Sequence, residues 1–165
     1  DVKALKSFQV AADSDEPSVP HGSVRTRYPE DQERGWFDAL LLPDIRVETA
    51  LAEGLVREGD TIEGMFVVET PKPLQYRSIS VRLIAIESTS AHGHTDKHVH
   101  QGDAIRIATE GVIEGKYSSE FRLPVASPGA KTDRGKLFSI DCFVQIELDV
   151  PWAKDPKIRV PVTLL

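Results

Sequence analysis

The chain has 165 residues, with 20 Lys and Arg against 26 Asp and Glu, for a formal net charge of −6. That length is one domain's worth, and the acidic balance argues against a general nucleic-acid binder, which would carry a basic footprint. Apolar residues at 40% and charged residues at 28% suit a folded globular chain, no apolar run approaches the roughly 18 residues of a membrane helix, and a single cysteine, Cys142, excludes an internal disulfide framework.

Residues 1–35 hold seven acidic and five basic side chains together with Pro17, Pro20 and Pro29, and show no sustained periodicity. They read as an arm or linker, with strand character only in Ser7–Ala11 and Ser23–Tyr28. Residues 36–165 read as the folded domain. Phe37–Leu42 is the one apolar run suited to a short helical turn, and Pro43 ends it. Ile45–Thr49 is a short strand candidate. After the turn signal Glu58-Gly59-Asp60 comes Ile62–Glu69, whose continuous run Met65-Phe66-Val67-Val68 marks a strand covered on both faces or near a bend. Pro71-Lys72-Pro73 closes it.

Period two then takes over. Ile79, Val81, Leu83 and Ala85 share a face within Arg77–Glu87, and Ala104–Ala108 is a further short candidate. Past Glu114-Gly115-Lys116, the residues Tyr117, Ser119, Phe121 and Leu123 share a face before Pro124. The clearest strand is Leu137–Asp149. There Phe138, Ile140, Cys142, Val144, Ile146 and Leu148 alternate with polar residues, Phe143 being the exception. Ile158, Val160, Val162 and Leu164 form the last apolar face. Pro161 interrupts it and, lacking an N–H, predicts an edge position or a bulge. About seven strands with turns every 8–12 residues and no convincing helix predict an all-β chain folded as an antiparallel β-sandwich.

Several of these segments, taken in order, resemble arrestin-fold domains. Gly59-Asp60-Thr61-Ile62-Glu63-Gly64 is similar to the Gly-Asp-x-apolar-x-Gly start of a strand in that family. Ile79–Glu87 resembles its next strand. Glu114-Gly115-Lys116-Tyr117 leading to Phe121-Arg122-Leu123-Pro124 resembles its strand ending in Leu-Pro. Phe138–Asp149 followed by Ile158-Arg159-Val160-Pro161-Val162 resembles its closing pair. The resemblance spans roughly residues 44–165 and is to the arrestin clan broadly, including the arrestin-like subunit of retromer and bacterial sporulation-control proteins. It implies an immunoglobulin-like, arrestin-type sandwich. It also implies a non-enzymatic scaffold or adaptor in trafficking or signalling, without cofactor, that binds other proteins through peptide segments or cytoplasmic tails. Members usually carry two such sandwiches, so a second domain is expected beside this one. There are departures: no Pro-Pro-x-Tyr motif is present, and Ala126-Ser127-Pro128-Gly129 stands where the eukaryotic branch has a Pro-x-Ser-Ser turn.

Among residues suited to chemistry, His92, His94, His98 and His100 fall within nine positions. On a hairpin with Asp96 at its tip, His92 and His94 would share one arm and His98 and His100 the other. The imidazoles could then converge on Zn²⁺ or Cu²⁺. This makes a metal-binding protein or metal-dependent enzyme the alternative to the scaffold; a solvated His-rich tip is the plainer reading. Trp152, in the loop joining the last two strands, and Trp36 are candidate partner anchors, because aromatics dominate interface hot spots; otherwise they pack against the sandwich. A carbohydrate-binding sandwich is a third reading, thinly supported by 7% aromatics. Cys142, on an apolar strand face, reads as a core thiol. Outer strands could accept an extended peptide as an added strand. The opening Asp1–Lys6 has no apolar core for a signal peptide, so a cytoplasmic location is expected, with membrane association only through partners.

Overall fold

A computed structural model describes residues 24–28, 43–126 and 128–165. Every element of regular structure among them is a strand: β1 Val24–Tyr28, β2 Arg46–Leu51, β3 Leu55–Val56, β4 Thr61–Glu69, β5 Leu74–Tyr76, β6 Ser78–Ala91, β7 His94–Ala108, β8 Gly111–Ile113, β9 Lys116–Pro124, β10 Asp133–Arg134, β11 Phe138–Asp149 and β12 Lys157–Leu164. The front sheet runs β1-β2-β4-β9. The back sheet runs β3-β12-β11-β6-β7, with β10 also on β11, and β5 pairs β8 in a small separate ribbon. All pairings are antiparallel except the two-residue contact of β12 with β3.

Alternation builds the core. The inward residues of β4 (Ile62, Phe66, Val68) and β11 (Ile140, Cys142, Val144, Ile146, Leu148) are buried in one cluster with Val47 and Leu51 of β2, Ile79, Val81 and Leu83 of β6 and Ile158, Val160 and Val162 of β12. Phe66 meets Tyr117 and Phe121 at ring-centroid distances of 6.1 and 6.4 Å, tilted as aromatic pairs prefer. Antiparallel sandwiches place one such face on each sheet and leave the other to solvent. The all-β sandwich expected from the sequence is thus the observed architecture.

The Gly-Asp-x-Ile-x-Gly segment has a physical account. The Asp60 carboxylate accepts from Arg57 N–H at 2.8 Å, fixing the turn before β4. The Gly59 N–H donates to the Val125 carbonyl at 2.9 Å, tying that turn to the end of β9. A Cβ on Gly64 would lie 2.5 Å from Phe121 Cζ and 2.8 Å from Leu51 Cδ2, so the two flanking strands close over glycine alone.

Val67 is buried although it sits on the outer side of β4, between Glu48 and Ser118 of the adjacent strands. Ile84 of β6 is likewise buried on the outer face of the back sheet, opposite Phe143. Val67, Ile84 and Phe143, which break alternation, therefore belong to outer-face patches.

Pro161 is opposite Phe143. Thr163 N–H and Leu165 N–H point away from β11, to the carbonyls of Gly54 and Val56. By the period of two, the Pro161 nitrogen points the same way, past the end of the two-residue β3. No ladder bond is lost, as an edge position requires. Beyond Val162, β10 takes over the flank of β11, and Thr132 exchanges hydrogen bonds with Leu164.

The short elements β3, β5, β8 and β10 were not expected from periodicity, since two or three residues carry none. Of the segment read as an arm, Val24–Tyr28 is the outer strand of the front sheet, in register with Val47–Leu51. The Ser7–Ala11 and Phe37–Leu42 expectations, and Trp36, lie outside the described residues.

Candidate functional site

The hairpin carrying the histidines is placed differently from the expectation. Ala91 pairs with His94, so the turn is His92-Gly93 and not Asp96. Both turn residues have positive φ, 51° and 81°, which is the two-residue type I′ turn whose twist matches antiparallel strands. His and Gly at these positions outweigh Thr-Asp-Lys as a turn, because left-handed backbone suits Gly best and His better than most side chains. His94, His98 and His100 consequently all lie on β7, facing Ala91, Glu87 and Ala85 of β6 rather than one another across two arms. His98 and His100 are in edge-to-face contact at 4.6 Å, and His100 Nε2 lies 3.1 Å from Glu87 Oε2. Among the described residues no group of three or more His, Cys, Asp or Glu is placed to hold a metal ion. The convergence that motivated the metal reading of His92, His94, His98 and His100 rested on the wrong tip.

At the opposite end of the back sheet lies a polar trough of about 240 Å³. Its floor is the outward face of β6, where Ser78, Ser80 and Arg82 alternate with buried Ile79, Val81 and Leu83. β11 flanks it with Glu147 and Asp149, which pair with Ser80 and Ser78. β7 flanks it with Ala104 and Arg106, paired with Arg82 and Ser80. Small serines on the middle strand between long side chains on both neighbours are what make the concavity. The loop after β11 adds Asp155.

The walls differ in sign. On the β11 side, Asp149 Oδ1 accepts from Arg77 Nε at 2.8 Å and Nη2 at 2.5 Å, and Glu147 Oε2 accepts from Gln145 at 3.2 Å. Asp155 Oδ1 accepts from Val150 N–H at 2.9 Å, which closes the loop. On the β7 side, Arg82 Nη1 donates to Gln101 at 2.7 Å, while its buried Nε has no partner. A second depression of about 420 Å³ adjoins, lined by Tyr76 and residues 106–110, and shares Arg106 with the first.

Trp152 stands on the same loop. It is 103% exposed, so its indole caps no part of the sandwich. Its φ is 64°, a left-handed backbone that a bulky side chain adopts only when its surroundings impose it. Cys142 is buried at mid-strand, and burial pushes its thiol above the ordinary range, as befits a packing residue.

Sequence reading missed the trough. The alternation Ser78-x-Ser80-x-Arg82 was visible as a polar face, as were Glu147 and Asp149. Their juxtaposition depends on a register between strands about 70 residues apart, which no local pattern encodes.

No family model and no curated protein matches the chain. Among solved structures it is similar to the sporulation control protein Spo0M of Bacillus subtilis, with a TM-score of 0.58 and 16% identity over 74% of this chain and 50% of that one. The chain thus spans about half the length of that protein. Likeness at this level concerns the fold, an arrestin-like β-sandwich.

Proposed function

We propose that the chain is a non-enzymatic interaction module, a scaffold or adaptor that binds a protein partner at the end of the sandwich carrying Trp152. The observation that carries this reading is Trp152 itself: a fully exposed indole held on left-handed backbone. Exposing an indole forfeits the roughly 1.5–3 kcal/mol available from burying a large apolar side chain, and strained backbone concentrates where function requires it. Tryptophan is also among the residues most enriched in interface hot spots. The arrestin-like fold supports a partner-binding role by analogy of architecture. Cytoplasmic location and partners in trafficking or signalling go with this proposal.

The outer strands offer a second mode of contact. β7 forms the far edge of the back sheet and keeps an unbroken register with β6 from His94 to Gln101. An extended peptide could add there as a strand, with main-chain bonds giving affinity. Affinity purification from the cells of origin with wild type, Trp152→Ala and a Val99→Pro variant tests both modes. A partner lost with Trp152→Ala at unchanged thermal stability is the expected result. A partner set identical for all three proteins overturns the reading.

A further inference from the structure

We propose that the trough over β6 binds a small zwitterion of the α-amino acid class, its carboxylate toward Arg82 and Arg106 and its ammonium toward the acidic wall. Charges of opposite sign face each other across the trough. β11 and β7 both flank β6, so their walls stand two strand spacings apart, roughly 10 Å. Yet Arg82 and Arg106 form no ion pair with Glu147, Asp149 or Asp155; the Arg77–Asp149 and Lys157–Glu147 pairs lie outside that gap. The opposed charges are separated by a space over two serines, whose hydroxyls have no partner among the described residues.

Hydrogen-bond capacity on the two walls is complementary to such a ligand. Arg106 has no partner among the described residues, and Arg82 is anchored by Gln101 at one nitrogen while Nε lacks an acceptor. Nε is closed off from solvent, so an incoming carboxylate would meet the Arg82 guanidinium through its remaining Nη donor, beside Arg106. On the other wall each carboxylate uses one oxygen for the fold and keeps one: Asp149 Oδ2, Asp155 Oδ2 and Glu147 Oε1 accept nothing from the described residues. A simple anion would satisfy the cationic wall but sit against three carboxylates, and a simple cation would meet the two arginines. Only a ligand carrying both charges meets both walls. A cavity of about 240 Å³ holds a free amino acid with its side chain, but not a folded partner. This site is distinct from the Trp152 reading, since Trp152 does not line it and its two β7 residues, Ala104 and Arg106, lie beyond the His94–Gln101 stretch offered for strand addition.

The test is calorimetric titration of the full chain with L-glutamine, N-acetyl-L-glutamine, L-glutamine amide and inorganic phosphate, each at millimolar concentration, followed by the other common amino acids. Saturable binding of at least one free amino acid is expected. Blocking its amine or its carboxylate should weaken it about tenfold or more, the loss of one charge-assisted bond. Arg106→Gln and Asp155→Asn should each do the same at unchanged thermal midpoint; the asparagine still accepts from Val150 N–H. No saturable binding by any free amino acid overturns the proposal. So does phosphate binding as well as the amino acid with Asp155→Asn unaffected, which would make the trough an anion site.

Discussion

At the hairpin end of the back sheet, β6 and β7 run on past their neighbours. Their last rung with β11 is Thr89 to Phe138, and the outermost residues of both strands are exposed on both faces. About 40 Å away along the same strand, Ile79 of β6 and Leu148 of β11 are paired and fully buried, and the polar side chains above them stand on a packed floor. One end is held by backbone pairing and a tight turn, the other by the core. A preformed site needs side chains fixed by what lies beneath them, so the histidine-rich end, conspicuous in sequence, is the less suited of the two.

The contrast is open to measurement. Leu148→Ala removes a fully buried side chain and should lower the unfolding free energy by about 2–5 kcal/mol, whereas Val99→Ala, on the exposed edge strand, should cost about 1 kcal/mol or less. Equal costs in urea titrations would erase the distinction. Gly64→Ala probes the close approach of β2 and β9 over β4, and overpacking there should cost about 1–3 kcal/mol. Arg77→Ala breaks the pair with Asp149 at the cleft end. That pair is largely solvent-screened, so about 1 kcal/mol or less is expected in a thermal scan. His92→Asn at the hairpin tip keeps a residue that tolerates positive φ and better suits a type I′ turn, so stability should rise by a few tenths of a kcal/mol. A loss there would mean that the His92 side chain holds the tip by something other than its backbone.

How much of this was legible follows from what the period of two can say. It marks which residues of β6, β9, β11 and β12 face inward, and those strands were found with their core faces, whereas the continuous apolar run of β4 marked a strand without a face. It places Pro161 at an edge because the missing N–H is a local fact. It misplaced the hairpin tip, since Thr95-Asp96-Lys97 looks polar and turn-like while the decisive preference belonged to the φ of His92-Gly93. It said nothing of the two-residue strands, of the bulges that break the β6–β7 register near Ile79 and Leu83, or of the trough. The trough depends on which outward residues of β7 and β11 come to flank Ser78 and Ser80, and that is decided by long-range register. Trp152 was singled out as a loop aromatic, but its full exposure follows from backbone geometry that no composition count contains.

The twelve-rung ladder between β6 and β11 has a kinetic consequence. β6 and β7 are joined by a two-residue turn and can zip on the order of 1–10 μs. The rungs with β11 join residues from 49 apart, Thr89 and Phe138, to 71 apart, Ser78 and Asp149. Closing so long a loop must precede most of the core, which places folding among the slow, non-local β topologies, in milliseconds to seconds. During that interval the inner face of the hairpin (Ile79, Val81, Leu83) waits uncovered. Stopped-flow refolding of Val144→Ala should show folding slowed, with β11 docking as the step that commits the chain; a change confined to the unfolding rate would place docking after that step.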